Sequence, residues 1–205
     1  MIENMPLLID ESFLPATLTA PPMTDEQFAA FCAEHSDYFI EMTADGELLI
    51  MPPNYSLTGM RNGKIGAQLE NWAAKDQRGA VTDASGGFVL PNGARRSPDA
   101  AWTLKDRVLE LPPASLNGFW PLCPEFVIEL RSQSDRLPVL RAKMREWIGN
   151  GAQLGWLIDP ERRTVEVYRQ GRETQMLVDV LEVTGEGQVD GFVLDLRPVW
   201  DPLSF

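Results

Sequence analysis

The 205 residues, 22.9 kDa with 44% hydrophobic side chains, suffice for one well-packed domain and are short for two. Two cysteines, Cys32 and Cys123, and one histidine, His35, argue against a disulfide framework, the usual zinc spacings and any catalytic triad with a base other than His35. The formal charge of −12 weighs against a polyanionic partner, but it is unevenly spread: residues 1–50 hold ten acids and no Lys or Arg, and the remaining 155 hold 20 acids against 18 bases.

Residues 1–22 carry prolines and no sustained apolar period, which predicts an extended N-terminal arm, with a domain over 23–205. The start MIENMPLLIDES lacks the basic residues and apolar run of a secretory signal, and no apolar stretch reaches membrane-spanning length, so a cytoplasmic protein is expected. Thr24 and Gln27 have capping-box spacing and predict a helix to about His35, which is read as a surface or capping histidine. YFIEMTADGELLIMPP reads as a hairpin turning at Ala44-Asp45-Gly46. From Ser56 to Lys75, Met60, Ile65, Leu69 and Trp72 recur at helical spacing, with Gly79 as the predicted stop. Residues 80–103, with turn dipeptides Gly86-Gly87 and Asn92-Gly93, predict a β-meander, and proline-rich 104–123 an irregular connection after a short helix.

PEFVIEL, residues 124–130, is a nearly continuous apolar strand carrying Glu125 and Glu129. Residues 136–150 form a helix with Leu137, Leu140, Met144, Trp147 and Ile148 on one face, followed by the hairpin LGWLID/TVEVYR around Pro160-Glu161 and short strands from 172 onward. The order implies an α/β or α+β fold with a central mixed sheet flanked by helices. Trp102, Trp147 and Trp156 are expected in the core.

The chemistry rests on two carboxylates in apolar strands, Asp99 in SPDAAW and Glu129 in PEFVIEL. A buried carboxylate costs several kcal/mol unless it binds a cation, pairs with a base or reaches water. Two carboxylates with waters and phosphate oxygens suit Mg²⁺ or Mn²⁺. The alternatives are a turn-capping Asp99 and a Glu129 paired with Arg131 or a helix arginine. Lys143 falls at the edge of the buried stripe of its helix, where its stem can lie on apolar surface and its ammonium reach the sheet. Arg131, Arg136, Arg141, Lys143 and Arg145 against Asp135 leave room for a local basic face.

PDAAW, then PEFVIELRSQSD, then LRAKMREWIGNGAQLGWLIDPERRTVEVYR, with IEMTADGELLIMPP before them, resembles the Uma-two family of restriction endonucleases, a branch of the PD-(D/E)XK nuclease superfamily. The resemblance covers roughly residues 24–170. It implies a restriction-endonuclease-like fold, Asp99 and Glu129 as metal ligands, a Mg²⁺ (or Mn²⁺) cofactor, and DNA hydrolysis. Two residues after Glu129, where the superfamily usually has lysine, this chain has Arg131, and the family's lysine on the following helix is here Lys143. Arginine stays protonated and cannot be a general base, so Arg131 is assigned to phosphate contact and Lys143 to orienting the water. Glu41 and Glu47 are candidate third acids, although solvent-facing hairpin positions are the favoured reading for both. Duplex cleavage needs two sites, hence a homodimer is expected. The rival expectation is a catalytically inactive interaction or regulatory module on the same fold.

Overall fold

The computed structural model describes residues 14–204. The chain opens with β1 (Ala16–Thr19), the outer strand of a five-stranded sheet, so part of the expected arm is ordered against the domain; residues 1–13 lie outside the described residues. Helix α1 (Asp25–Glu34) starts at Thr24 with both capping-box bonds, Gln27 N–H to the Thr24 hydroxyl at 3.2 Å and Thr24 N–H to Gln27 Oε1 at 2.9 Å. His35 ends it by donating its backbone N–H to the last turn. β2 (Phe39–Met42) and β3 (Glu47–Met51) form the expected hairpin, with Gly46 at φ +84° in the turn.

Helix α2 (Ser56–Asp76) buries Thr58, Ile65, Leu69 and Ala73. It stops at Gln77, which takes the left-handed conformation at φ 61°, and not at Gly79. Gly79 instead opens β4 (Gly79–Asp83), where a Cβ would sit 2.1 Å from the ring of Trp102; its use is close approach, not termination. The expected meander is divided between two sheets. β5 (Phe88–Val89) and β6 (Arg95–Arg96) join β2 in the five-stranded sheet, ordered β1-β3-β2-β6-β5, whereas β4 pairs with β7 (Ala100–Leu104) in the second. A single β-meander would keep its strands adjacent, and the three residues Ser97-Pro98-Asp99 instead carry the chain from one sheet to the other.

After α3 (Lys105–Leu109) comes β8 (Phe126–Leu130), two residues shorter than the predicted strand, then α4 (Leu137–Gly149), β9 (Leu154–Asp159), β10 (Thr164–Arg169) and β11 (Gln175–Val178). The six-stranded sheet runs β11-β10-β9-β8-β7-β4, antiparallel except for the parallel β8–β9 pair that α4 connects, which makes it the mixed sheet expected. A small sheet of β12 (Glu182–Thr184) and β13 (Val193–Asp195) and the short α5 (Arg197–Trp200) close the chain.

Strand alternation sorts β8 between two cores. Phe126, Ile128 and Leu130 pack with Trp102, Trp156 and the α2 residues Ile65 and Leu69; Val127 packs with Leu140, Met144 and Trp147 of α4. Helix α4 lies close on β9 because residue 155 is glycine: a Cβ there would meet Met144 at 2.5 Å and Val127 at 3.2 Å. Trp102, Trp147 and Trp156 are fully buried, as the sequence predicts. No helix among the described residues is long and apolar enough to cross a membrane.

Candidate functional site

The junction between the two sheets is where the polar side chains gather. The β7–β8 register places Ala100 opposite Ile128, and one more step sets Asp99 beside Glu129. Asp99 Oδ2 accepts the Leu130 N–H at 2.7 Å and Oδ1 the Asn62 amide, from α2, at 2.7 Å. Glu129, on the Val127 face of β8, meets α4: its Oε1 accepts Trp147 Nε1–H at 2.8 Å, and Lys143 Nζ lies 2.9–3.0 Å from both carboxylate oxygens. Lys143 also donates to the Ser97 carbonyl at 2.9 Å and contacts Glu41 Oε1 at 2.7 Å. Its stem lies at the helix edge and its ammonium reaches the sheet, as its place at the edge of the buried stripe predicts.

Glu41 corrects the sequence reading. It is 3% exposed, not solvent-facing, because β2 continues toward β6 and the sheet junction covers it. Its Oε1 accepts the Ser97 N–H at 3.0 Å and its Oε2 is 3.0 Å from Arg96, which in turn reaches Glu146 on α4 at 2.6 Å. Glu47 is exposed at the far end of the hairpin and takes no part. Arg131 is not drawn into the cluster either: it turns to Asp159 at 2.8 Å and Glu161 at 3.0 Å. Glu129 pairs with Lys143 and not with Arg131. Arg141 is likewise taken, by Glu166 at 2.5 Å, so of the expected basic face only Arg136 and Arg145 remain exposed and outside ion pairs among the described residues.

Asn62, Arg96, Ser97, Glu146 and Trp147 were not foreseen as site residues. For Glu41 a signal existed, since FIEM repeats the pattern of FVIEL, a glutamate inside an apolar strand. For Asn62 and Arg96 there was none, because their roles depend on how α2 and β6 dock.

A cavity of about 280 Å³ opens onto this cluster, with Glu41, Ser97, Asp99, Glu129, Asp135 and Lys143 in its wall. Burial pushes the Asp99 carboxyl up, offset only in part by the Leu130 N–H, Lys143 and Asn62. Burial also pushes Glu129 up to about 8, with the Asp99 and Glu41 charges adding to it against the pull of Lys143. At Glu41 burial is outweighed by Lys143 and Arg96, which hold its carboxyl below the usual range. Burial works against the Lys143 ammonium, but Glu129 and Glu41 outweigh it and keep the amine protonated well above neutral pH.

Among the described residues no three Asp, Glu, His or Cys side chains are disposed to hold a metal ion together. A two-carboxylate site still fits Mg²⁺ or Mn²⁺, which bind through one or two carboxylates with waters and phosphate oxygens completing the shell. Two observations favour that fit. Two buried carboxylates, Glu41 and Glu129, and the half-buried Asp99 share one ammonium and one guanidinium; burial raises the Asp99 and Glu129 carboxyls, and Lys143 offsets this only in part. Beside Asp99, the Asn62 Oδ1 is a buried hard oxygen with no hydrogen-bond partner.

The family model Uma2, described as "Putative restriction endonuclease", matches residues 25–197. Among solved structures, a "putative nuclease belonging to DUF820" from Anabaena variabilis ATCC 29413 is similar in fold, with a TM-score of 0.71 at 17% identity over 87% of this chain and 98% of that one. A search of curated proteins returned no match. With the mixed sheet, the α4 crossover and the Asp99–Glu129 pairing all inside the matched span, the fold is restriction-endonuclease-like and the chain belongs to the Uma2 family of putative restriction endonucleases.

Proposed function

We propose that this protein is a Mg²⁺- or Mn²⁺-dependent endonuclease that hydrolyses DNA phosphodiester bonds, with Asp99 and Glu129 as metal ligands. The observation that carries the reading is the excess of carboxylates, Glu41, Glu129 and Asp99, over the Lys143 ammonium and Arg96 guanidinium at the sheet junction, on a chain whose family is described as restriction endonucleases. Leaving such a cluster uncompensated is costly, and a divalent cation offsets it. When bound, that ion supplies Lewis-acid polarisation of the phosphoryl oxygen and a more acidic water.

The chain's own residues do the rest. The Leu130 N–H and the Asn62 amide fix the Asp99 carboxylate, and Trp147 fixes Glu129. Lys143, kept protonated by Glu129 and Glu41, is no general base at neutral pH; it orients the attacking water and stabilises charge developing on the phosphate. Glu41 acts as the third acid by holding that ammonium in place. Cutting both strands needs two such sites, so the working form is a homodimer.

One observation favours the second reading, an inactive interaction module: Lys143 and both Asp99 oxygens are already engaged by the chain itself. Supercoiled plasmid incubated at low salt with Mn²⁺ separates the two. Nicking by the native chain should fall by about two orders of magnitude or more in Asp99→Ala. Absence of nicking, together with no heat of Mn²⁺ binding in calorimetry, would move the assignment to the interaction module.

A further inference from the structure

A second hollow, of about 590 Å³, lies next to the cleft. Its wall is formed by residues 55–58 and Arg61 at the start of α2, by Arg131 and Ser132 after β8, and by Glu161. Ser132 borders both cavities. We infer that this hollow binds a phosphodiester group of the nucleic-acid strand next to the one being cut; the substrate class rests on the nuclease reading above.

Several independent features converge on an anion. Helix α2 is 21 residues long, has no side-chain cap at Tyr55 and has no acidic residue in its first turn. Its first backbone hydrogen bond is Gly59 N–H to Tyr55 at 3.0 Å, so the N–H groups of Ser56, Leu57 and Thr58 precede the helical ladder, at the positive end of the dipole. Thr58 is only 7% exposed, lines the hollow, and its hydroxyl makes no hydrogen bond among the described residues. The Arg131 Nε is buried without a partner. Arg61 has no carboxylate partner among the described residues; its Nε donates to the Val199 carbonyl at 2.9 Å, which anchors the side chain at the rim.

The single acid in this wall is Glu161, 78% exposed in its side chain and 3.0 Å from Arg131. An exposed carboxylate of this kind is weakly held, and when it yields, Arg131 stays anchored through Nη1 to the buried Asp159 at 2.8 Å and offers its remaining N–H groups to a phosphate. The spacing suits a strand continuing out of the cleft. Arg61 is followed by Asn62, which holds Asp99 at 2.7 Å, and from Thr58 to Asn62 the helix rises ~6 Å. One strand of a duplex carries a phosphate every ~3.4 Å of axis, so the hollow is a phosphate or two along from the cleft. Arg131, which the family resemblance assigns to phosphate contact, lines this hollow and not the Asp99–Glu129 cluster.

The test compares the full native chain, Arg61→Gln and Thr58→Val in EDTA, binding a short fluorescein-labelled duplex at several salt concentrations. Arg61→Gln should weaken binding by about fivefold to tenfold and reduce the slope of log K against log salt by about 0.9. Thr58→Val, which deletes only the hydroxyl and leaves the Arg61–Val199 contact intact, should weaken it by about twofold to fivefold. In parallel, the amide resonances of Ser56 to Thr58 should shift saturably with inorganic phosphate in the native chain and much less in Arg61→Gln. Unchanged duplex affinity and slope in both variants, or no duplex binding by the native chain, overturns the inference; phosphate shifts with unaltered duplex binding would make this a free-anion site and overturn it too. Duplex binding that depends on Arg61 in a chain that nicks no plasmid keeps the subsite and removes the nuclease, whereas Asp99-dependent nicking with Arg61-independent binding removes only the subsite.

Discussion

Glu125 and Glu129 stand four residues apart on one face of the same extended segment, 4% and 3% exposed, and they meet opposite surroundings. Glu125 is balanced: one guanidinium, from Arg107, pairs with one carboxylate, the Leu104 N–H at 2.9 Å completes its shell, and Arg107 is tied to the Cys123 carbonyl as well. Glu129 shares its single ammonium with Glu41 and lies beside Asp99. Burial of an acid in a strand therefore does not mark a functional site in this protein. The ratio of carboxylates to fixed cations is what separates the two ends, because only the unbalanced one retains a reason to take a further cation.

The sharpest way to break the comparison is to delete the cation at each end. Lys143→Met leaves Glu41 and Glu129 without their shared ammonium and should cost about 3–5 kcal/mol of stability in urea unfolding. Arg107→Met should cost about 1–2 kcal/mol, since the Arg107 side chain is 39% exposed and solvent screens the loss. Added Mn²⁺ should restore part of the first loss and none of the second. Equal losses with no metal effect would put the two ends in the same class.

A pH effect follows from the raised Glu129 carboxyl. Its folded value of about 8 lies above the ordinary 4.5, so the folded state holds this proton more tightly than the unfolded chain. The contribution to stability is fully present below about pH 4.5 and is lost as pH rises through about 8. In EDTA the melting temperature should decline across that window, and Glu129→Gln should flatten the decline; an unaltered profile in the variant would show that Glu129 does not carry it. The smallest effect is expected at the hairpin's far end, where Glu47→Gln should change stability by no more than about 0.5 kcal/mol and leave nicking unchanged. A marked loss of nicking in that variant would return Glu47 to the site.

Most of the fold was readable in the chain because its elements announce themselves locally: the Thr24–Gln27 cap, the Ala44-Asp45-Gly46 turn and the apolar face of α4 each depend on near neighbours in sequence. The stop of α2 was misplaced for a local reason as well, since Gln77 adopts a conformation usually left to glycine while Gly79 answers to a tryptophan 23 residues away. Asp99, Glu129 and Lys143 were legible as acids and a base at the margins of apolar runs, and the structure brings all three together. Glu41 carried the same mark as Glu129 and was discounted because a hairpin usually has a wet face; which face is wet is decided by the docking of a second sheet, a long-range event. The pairing of Arg131 was illegible for a related reason, because strand geometry fixes the side it leaves from but not the Asp159 that awaits it.

Ser97-Pro98-Asp99 is the short link by which the chain leaves one sheet and enters the other, and the polar cluster is assembled across it. Glu41 and Arg96 belong to the first sheet, Glu129 to the second, and α4 fastens to both through Lys143 and Glu146. The cluster is thus also a clasp, and whatever alters its charge alters the cohesion of the two halves of the molecule. A substitution that changes the chemistry of the cluster therefore also changes the joint between the two sheets, and its effects on cation binding and on folding are to be read together.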